Sequence, residues 1–126
     1  MKQDWLEATQ SGDCKQVQDL LDQGADINAL DKHSQTALMN AALRGDHHIV
    51  AQLVSHDANL DHTAKYKLTA LMLAVINNHK EVVEILVQAG ADTSLQGSYG
   101  SFAKTPLEYA RDAGFTDIVR ILENAS

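Results

Sequence analysis

The chain has 126 residues, of which 44% are hydrophobic, 21% are charged and one is proline. This composition fits one globular domain spanning residues 1–126 and excludes a disordered or low-complexity chain. The net charge of −7 argues against a nucleic-acid-binding protein, and a single cysteine, Cys14, excludes an internal disulfide or a CxxC metal site.

The N-terminal residues carry acidic side chains and no apolar run, so they do not form a secretory signal. The longest apolar stretch, residues 70–76, is far too short to span a bilayer. We therefore expect a cytoplasmic protein that does not enter a membrane.

The sequence repeats itself along its length. A Gly-Ala-Asp tripeptide or a close variant begins at residues 24, 57 and 90, at intervals of 33 residues. A second landmark, a threonine, stands at Thr36, Thr69 and Thr105, and its last interval of 36 residues reveals a three-residue insertion. Two landmarks with one period predict stacked repeats with boundaries near 1–30, 31–63, 64–96 and 97–126.

Each unit is predicted to contain two short helices. The threonines are suitable N-caps, and Pro106 fits the first turn of a helix. Gly45 and Gly114 stand where the first helix must end. The second helix carries apolar residues three and four apart, such as Ile49 and Leu53, which places them on one helical face.

These motifs resemble the ankyrin repeat, and the resemblance covers nearly the whole chain. The family pattern Thr-Pro-Leu-His becomes Thr-Ala-Leu-Met at residues 36–39 and 69–72, and Thr-Pro-Leu-Glu at residues 105–108. Met39, Met72 and Glu108 thus replace the family's histidine, so its bond to the threonine is absent. The Thr-Ala-Leu-Met variant resembles bacterial members. The resemblance implies an all-α solenoid of helix-turn-helix units with protruding turns.

The two ends have polar substitutions expected of capping repeats. Gln16 stands where later units have an apolar residue, and Arg111 stands where earlier units have Ala42 and Val75. Because a terminal repeat has no neighbour on one side, polar residues belong there. We therefore expect the four-repeat stack to be complete within this chain.

The resemblance implies that a partner protein binds to the concave side formed by the first helices and the turn tips. We expect fourteen residues to be exposed there. They are Lys32, His33, Gln35, Lys65, Tyr66 and Leu68 in the tips, Leu43, Arg44, Ile76, Asn77 and Asp112 on the first helices, and Tyr99, Phe102 and Lys104 in the long loop of the fourth repeat. An exposed apolar or aromatic patch of this kind marks an interaction site. The alternative is that several of the apolar residues pack against the next repeat.

Half of the ten basic residues fall on this side, whereas many of the acids fall on the second helices. A basic surface on an acidic body predicts an acidic or amphipathic partner segment. The alternatives are that the lysines only provide solubility, and that the inserted loop is a neutral change of length.

The sequence predicts no enzyme, no cofactor and no metal site. Adjacent histidines such as His47 and His48 point about 100° apart on a helix and do not readily share a metal. His56 and His62 flank a turn and are expected to be solvated. The leading hypothesis is a monomeric adaptor or inhibitor. The alternatives are a metal- or ligand-dependent regulator or enzyme that uses the histidines, and a self-associating scaffold.

Overall fold

The computed structural model describes residues 1–125, and every regular element in that range is helical. Two single 3₁₀ turns, Lys65–Lys67 and Gly100–Phe102, occupy the tips of the third and fourth repeats. The α-helices are α1 Gln3–Ser11, α2 Cys14–Asp22, α3 Ala37–Arg44, α4 His47–Ser55, α5 Ala70–Ile76, α6 Lys80–Gln88, α7 Pro106–Ala113 and α8 Thr116–Asn124.

The helices form four consecutive pairs, α1–α2, α3–α4, α5–α6 and α7–α8. The first helix of each pair packs against the first helix of the next pair, and the second helices pack against one another in the same order. Each unit therefore contacts its neighbours along the stack, as in a repeat solenoid. The predicted all-α repeat fold is confirmed, and none of the helices in residues 1–125 has the length and hydrophobicity needed to cross a bilayer.

The repeating threonines begin the first helices, as predicted. The hydroxyl oxygens of Thr36, Thr69 and Thr105 each accept a hydrogen bond of 3.2 Å from the backbone N–H three residues later. In the fourth repeat Glu108 also bonds back to the Thr105 N–H, which completes a capping box. Met39, which replaces the family's histidine, is buried in the core and adds apolar packing. The threonine cap remains intact without the histidine.

The core lies between the helix pairs and consists mainly of aliphatic residues. Leu53 and Leu86, predicted at the contacts between repeats, are fully buried. Gln16 and Arg111 are exposed in the first and fourth repeats, and Arg111 donates to Glu123 at 3.0 Å.

Polar bonds join neighbouring repeats at the turns. The Asn59 N–H donates to the side-chain oxygen of Asn28 at 2.8 Å, and the Asp92 N–H donates to a carboxylate oxygen of Asp61 at 2.9 Å. The two bonds are related by the 33-residue period. They place each turn in register with the next and so fix the positions of the tips.

Candidate functional site

The tip of the second repeat is organised by the carboxylate of Asp31. One of its oxygens accepts from the backbone N–H groups of His33 and Gln35 at 2.8 and 3.0 Å, and the other accepts from the Asn40 side chain at 3.0 Å. Burial raises the pKa of this carboxyl, but the three hydrogen bonds outweigh burial and lower the pKa below its ordinary value. The tip is thereby fixed, with Lys32 and His33 exposed on it.

A concave region of about 690 Å³ lies beside this tip, between α1 and α3. We call it the N-terminal groove. Five of the residues predicted to bind a partner line it, together with an apolar residue of the first repeat: Lys32, His33, Gln35, Leu43, Arg44 and Leu6. The structure therefore brings together the predicted residues of the second repeat.

The end of α3 is held in place by bonds to both neighbouring repeats. Arg44 donates from Nη2 to the Thr9 carbonyl at 2.8 Å, and Nε2 of His79 lies 2.9 Å from the Leu43 carbonyl. The His79 ring also packs over Gly45, which has a left-handed φ of 78°. These contacts fix the backbone that carries Leu43, whose side chain is 40% exposed in the groove.

A second group of predicted residues meets at the tips of the third and fourth repeats. The rings of Tyr66 and Phe102 stack with centroids 4.7 Å apart, and the Tyr99 ring lies 6.2 Å from Tyr66. The Lys65 ammonium lies over the Tyr66 ring at 5.0 Å from its centroid, in reach of a cation–π contact. We call Tyr66, Tyr99 and Phe102 the aromatic cluster.

The inserted loop that carries this cluster is tied to its surroundings. The Gly97 N–H donates to the Lys104 carbonyl at 3.1 Å, and the Ser98 N–H donates to the Tyr66 carbonyl at 2.6 Å. The Tyr109 hydroxyl donates to the Phe102 carbonyl, and burial raises the pKa of that hydroxyl. A Cβ at position 97 would collide with the same carbonyl and hydroxyl, so the loop requires glycine there.

Bulky residues adopt left-handed backbone conformations at these tips. Tyr66 has a φ of 60°, Lys67 of 55° and Tyr99 of 77°. Such conformations cost about 1 kcal/mol or more for residues other than glycine, asparagine and aspartate. The Tyr99 ring is nevertheless 82% exposed, so burial does not offset that cost.

The expectation that Leu68 faces solvent is wrong, because its exposure is only 8%. A Cβ built on Gly97 would lie 3.1 Å from a Leu68 methyl group, which places Leu68 beneath the inserted loop. Tyr66, Ile76 and Phe102 were also expected to be exposed, but they are half-buried against the core. The alternative that several of the apolar residues are buried by packing therefore holds for these residues.

The remaining predicted residues are exposed or half-buried at the surface, but some interact with their own repeat. Lys104 forms an ion pair with Asp112, which raises the pKa of the Lys104 ammonium. Asn77 donates from its side chain to the Leu73 carbonyl at 2.8 Å. The other four cations on this side have no carboxylate partner within residues 1–125: Lys32, Arg44, Lys65 and Lys67.

Three histidines connect segments that are 28 to 38 residues apart in the chain, a role that sequence reasoning missed. Besides His79, the Nε2 atom of His56 lies 2.9 Å from the side-chain oxygen of Gln18, and that of His62 lies 3.1 Å from the Ser34 carbonyl. The signal available was their position beside the turns that join repeats. Over the described part of the chain, no group of three or more His, Cys, Asp or Glu is arranged to hold a metal ion.

Comparison with known proteins agrees with this architecture. A family model of ankyrin repeats, in three copies, matches residues 5–97, so the chain belongs to the ankyrin-repeat family. The helix pair α7–α8 lies beyond the matched residues and packs on the preceding pair in the same way. A search of curated proteins found no match. Ankyrin repeats are generally protein–protein interaction modules and are typically not enzymes.

Proposed function

We propose that this chain is a small adaptor or inhibitor that binds a partner protein through its concave face and turn tips. Tyr99 is the observation that carries the proposal. Its ring is 82% exposed and its φ is 77°, so folding alone favours glycine at this position. Exposed tyrosines are typical anchors of protein interfaces.

The surface charge supports an acidic or amphipathic partner segment. Lys32 and Lys65 lie on the tips without a carboxylate partner in the described chain, although the whole protein has a net charge of −7. An acidic partner gains attraction from these tips without displacing an internal ion pair. We also propose that the protein is a cytoplasmic monomer that binds neither nucleic acid nor membrane.

The test is affinity capture from a lysate of the source organism, with the parent chain and with a Tyr99→Gly, Leu43→Glu variant as baits. Leu43 is 40% exposed, so both changes leave the core intact. Lys15→Glu, on an exposed position of α2, is the control. We expect the control to retain the parent's partners and the double variant to lose them. Capture of the same partners by all three baits would contradict a site on this face.

Light scattering after size exclusion separates this proposal from a self-associating scaffold. We expect the mass of one chain across the concentration range used for capture. A dimer or larger assembly that dissociates in the double variant would show that this face binds a second copy.

A further inference from the structure

The N-terminal groove is a half-open depression of about 690 Å³ rather than an enclosed cavity. An open depression of this kind gives access to an extended segment. Leu6 from α1 and Leu43 from α3 contribute apolar surface to it, and Leu43 is 40% exposed. An aliphatic side chain entering the groove would remove this apolar surface from water.

The charges available in the groove favour an anionic ligand. Lys32 lines it without a carboxylate partner in residues 1–125, and Arg44 lines it with one terminal nitrogen bonded to the Thr9 carbonyl. The guanidinium group retains further N–H donors. Asp31 is the carboxylate that lines the groove, and three N–H donors already engage it. The groove therefore offers Lys32 and Arg44 to a ligand, beside the Met1 ammonium, which donates to the Leu30 carbonyl at 2.9 Å.

Two glutamines add groups that match a peptide backbone. Gln10 and Gln35 line the groove, and neither side chain makes a hydrogen bond within the described residues. A primary amide presents a donor and an acceptor side by side, which complements the N–H and C=O of an extended chain.

We propose that the N-terminal groove binds an extended peptide segment of the partner that carries a carboxylate close to an aliphatic side chain. The aliphatic group packs between Leu6 and Leu43, the carboxylate pairs with Lys32 or Arg44, and the peptide backbone bonds to the glutamines. This assignment rests on the proposed function and makes the groove a binding site separate from the aromatic cluster.

The experiment selects random peptides from a phage-displayed library on the immobilised full chain and measures the enriched peptides by fluorescence anisotropy. We expect Asp or Glu near Leu, Ile or Val in the enriched sequences. Leu43→Glu should weaken their binding about tenfold or more, as for a central apolar anchor. Lys32→Glu should weaken it by a few-fold, with an effect that shrinks as salt is raised.

Two matched controls define the groove. Leu30 is 41% exposed, close to the value for Leu43, but does not line the groove, and Lys15 is an exposed lysine on α2. Leu30→Glu should weaken peptide binding far less than Leu43→Glu does, and Lys15→Glu should leave peptide affinity unchanged. Helical circular dichroism and the urea midpoint of each variant establish that it is folded.

Enriched peptides without carboxylates would overturn the assignment, as would acidic peptides that lose affinity in Tyr99→Gly but bind Leu43→Glu normally. The library could enrich no peptide while the capture of lysate partners still depends on Tyr99. That result would overturn the groove assignment and leave the proposed function standing. Acidic peptides could require Leu43 for binding while the double variant still captures all lysate partners. That result would support the groove as a peptide site and contradict the proposed function.

Discussion

The N-terminal groove and the aromatic cluster are built in opposite ways. The groove is a concavity between helices, and Leu43 and Arg44 occupy ordinary helical positions in it. The aromatic cluster lies on irregular tips, where Tyr66 and Tyr99 adopt left-handed conformations and an inserted loop covers Leu68. At the tip that lines the groove the left-handed position is the small residue Ser34, with a φ of 61°. In the cluster such positions are taken by the bulky Tyr66 and Tyr99, and Tyr99 remains exposed.

The groove and the cluster are also held in place by different contacts. The groove depends on the contact between repeats at Gly45, where His79 approaches the end of α3. The cluster depends on the fold of one loop, in which Gly97 gives room to the Phe102 carbonyl and the Tyr109 hydroxyl. Substitutions at these two glycines should therefore damage different regions.

The largest effect is expected from Gly45→Ala. A Cβ there would lie 2.5 Å from Nδ1 of His79, in addition to the left-handed φ of 78°. Gly114→Ala is the control, because Gly114 has a φ of 76° with nothing within 4 Å of its Cβ position. Gly45→Ala should cost roughly 1–3 kcal/mol more unfolding free energy than Gly114→Ala in urea titrations. Equal losses would show that the His79 ring moves aside without cost and does not support the groove.

A more local effect is expected from Gly97→Ala. The added methyl group displaces the Phe102 carbonyl, and overpacking of this kind costs about 1–3 kcal/mol. The near-ultraviolet dichroism of the tyrosines should change while the helical signal persists. Gly100→Ala is the control in the same loop, with a φ of 58° and open space around its Cβ position. Loss of peptide binding to the N-terminal groove in Gly97→Ala would contradict the independence of the two regions.

The regular part of this comparison was predictable from the sequence. The threonine spacing located the starts of three first helices, and the resemblance to ankyrin repeats placed Leu43 and Arg44 on the concave side with the second tip. Such positions follow from helical geometry, which the period repeats in each unit.

The irregular part was not predictable, because it depends on contacts between segments that the period does not relate. The longer interval between threonines revealed the insertion. It did not reveal that the inserted loop covers Leu68 or that the Phe102 ring stacks on Tyr66. The ion pair between Lys104 and Asp112 likewise joins a loop residue to a helix residue. The predicted basic surface therefore has one unpaired cation fewer than the count of basic residues indicated.

Tyr99→Gly is expected to separate strain from binding. Glycine adopts the φ of 77° without steric cost but loses more chain entropy on folding, so the two effects nearly cancel. The unfolding free energy should change by less than about 1 kcal/mol. Capture of the partner should nevertheless weaken strongly, because the exposed ring is lost. An unstable variant would instead show that the Tyr99 ring stabilises the loop.

The smallest effect concerns the charge of Lys104, which lies in the inserted loop that carries Tyr99 and Phe102. The Asp112 carboxylate raises the pKa of Lys104 above its ordinary value of 10.5. A raised folded-state pKa means that the pair's contribution to stability is fully present below the ordinary pKa and is lost as the pH rises through the folded pKa. Asp112→Asn should remove this alkaline step and lower the Lys104 pKa, as measured by NMR titration of its side chain. Asp117→Asn, which removes the exposed partner of Lys80, should leave the Lys104 titration unchanged.

At neutral pH Asp112→Asn should also free Lys104 to attract anions, so an acidic partner should associate faster at the cluster, with a steeper dependence on salt. An unchanged association rate, despite the lowered pKa, would indicate that acidic segments bind at the groove and that the cluster makes only apolar contacts.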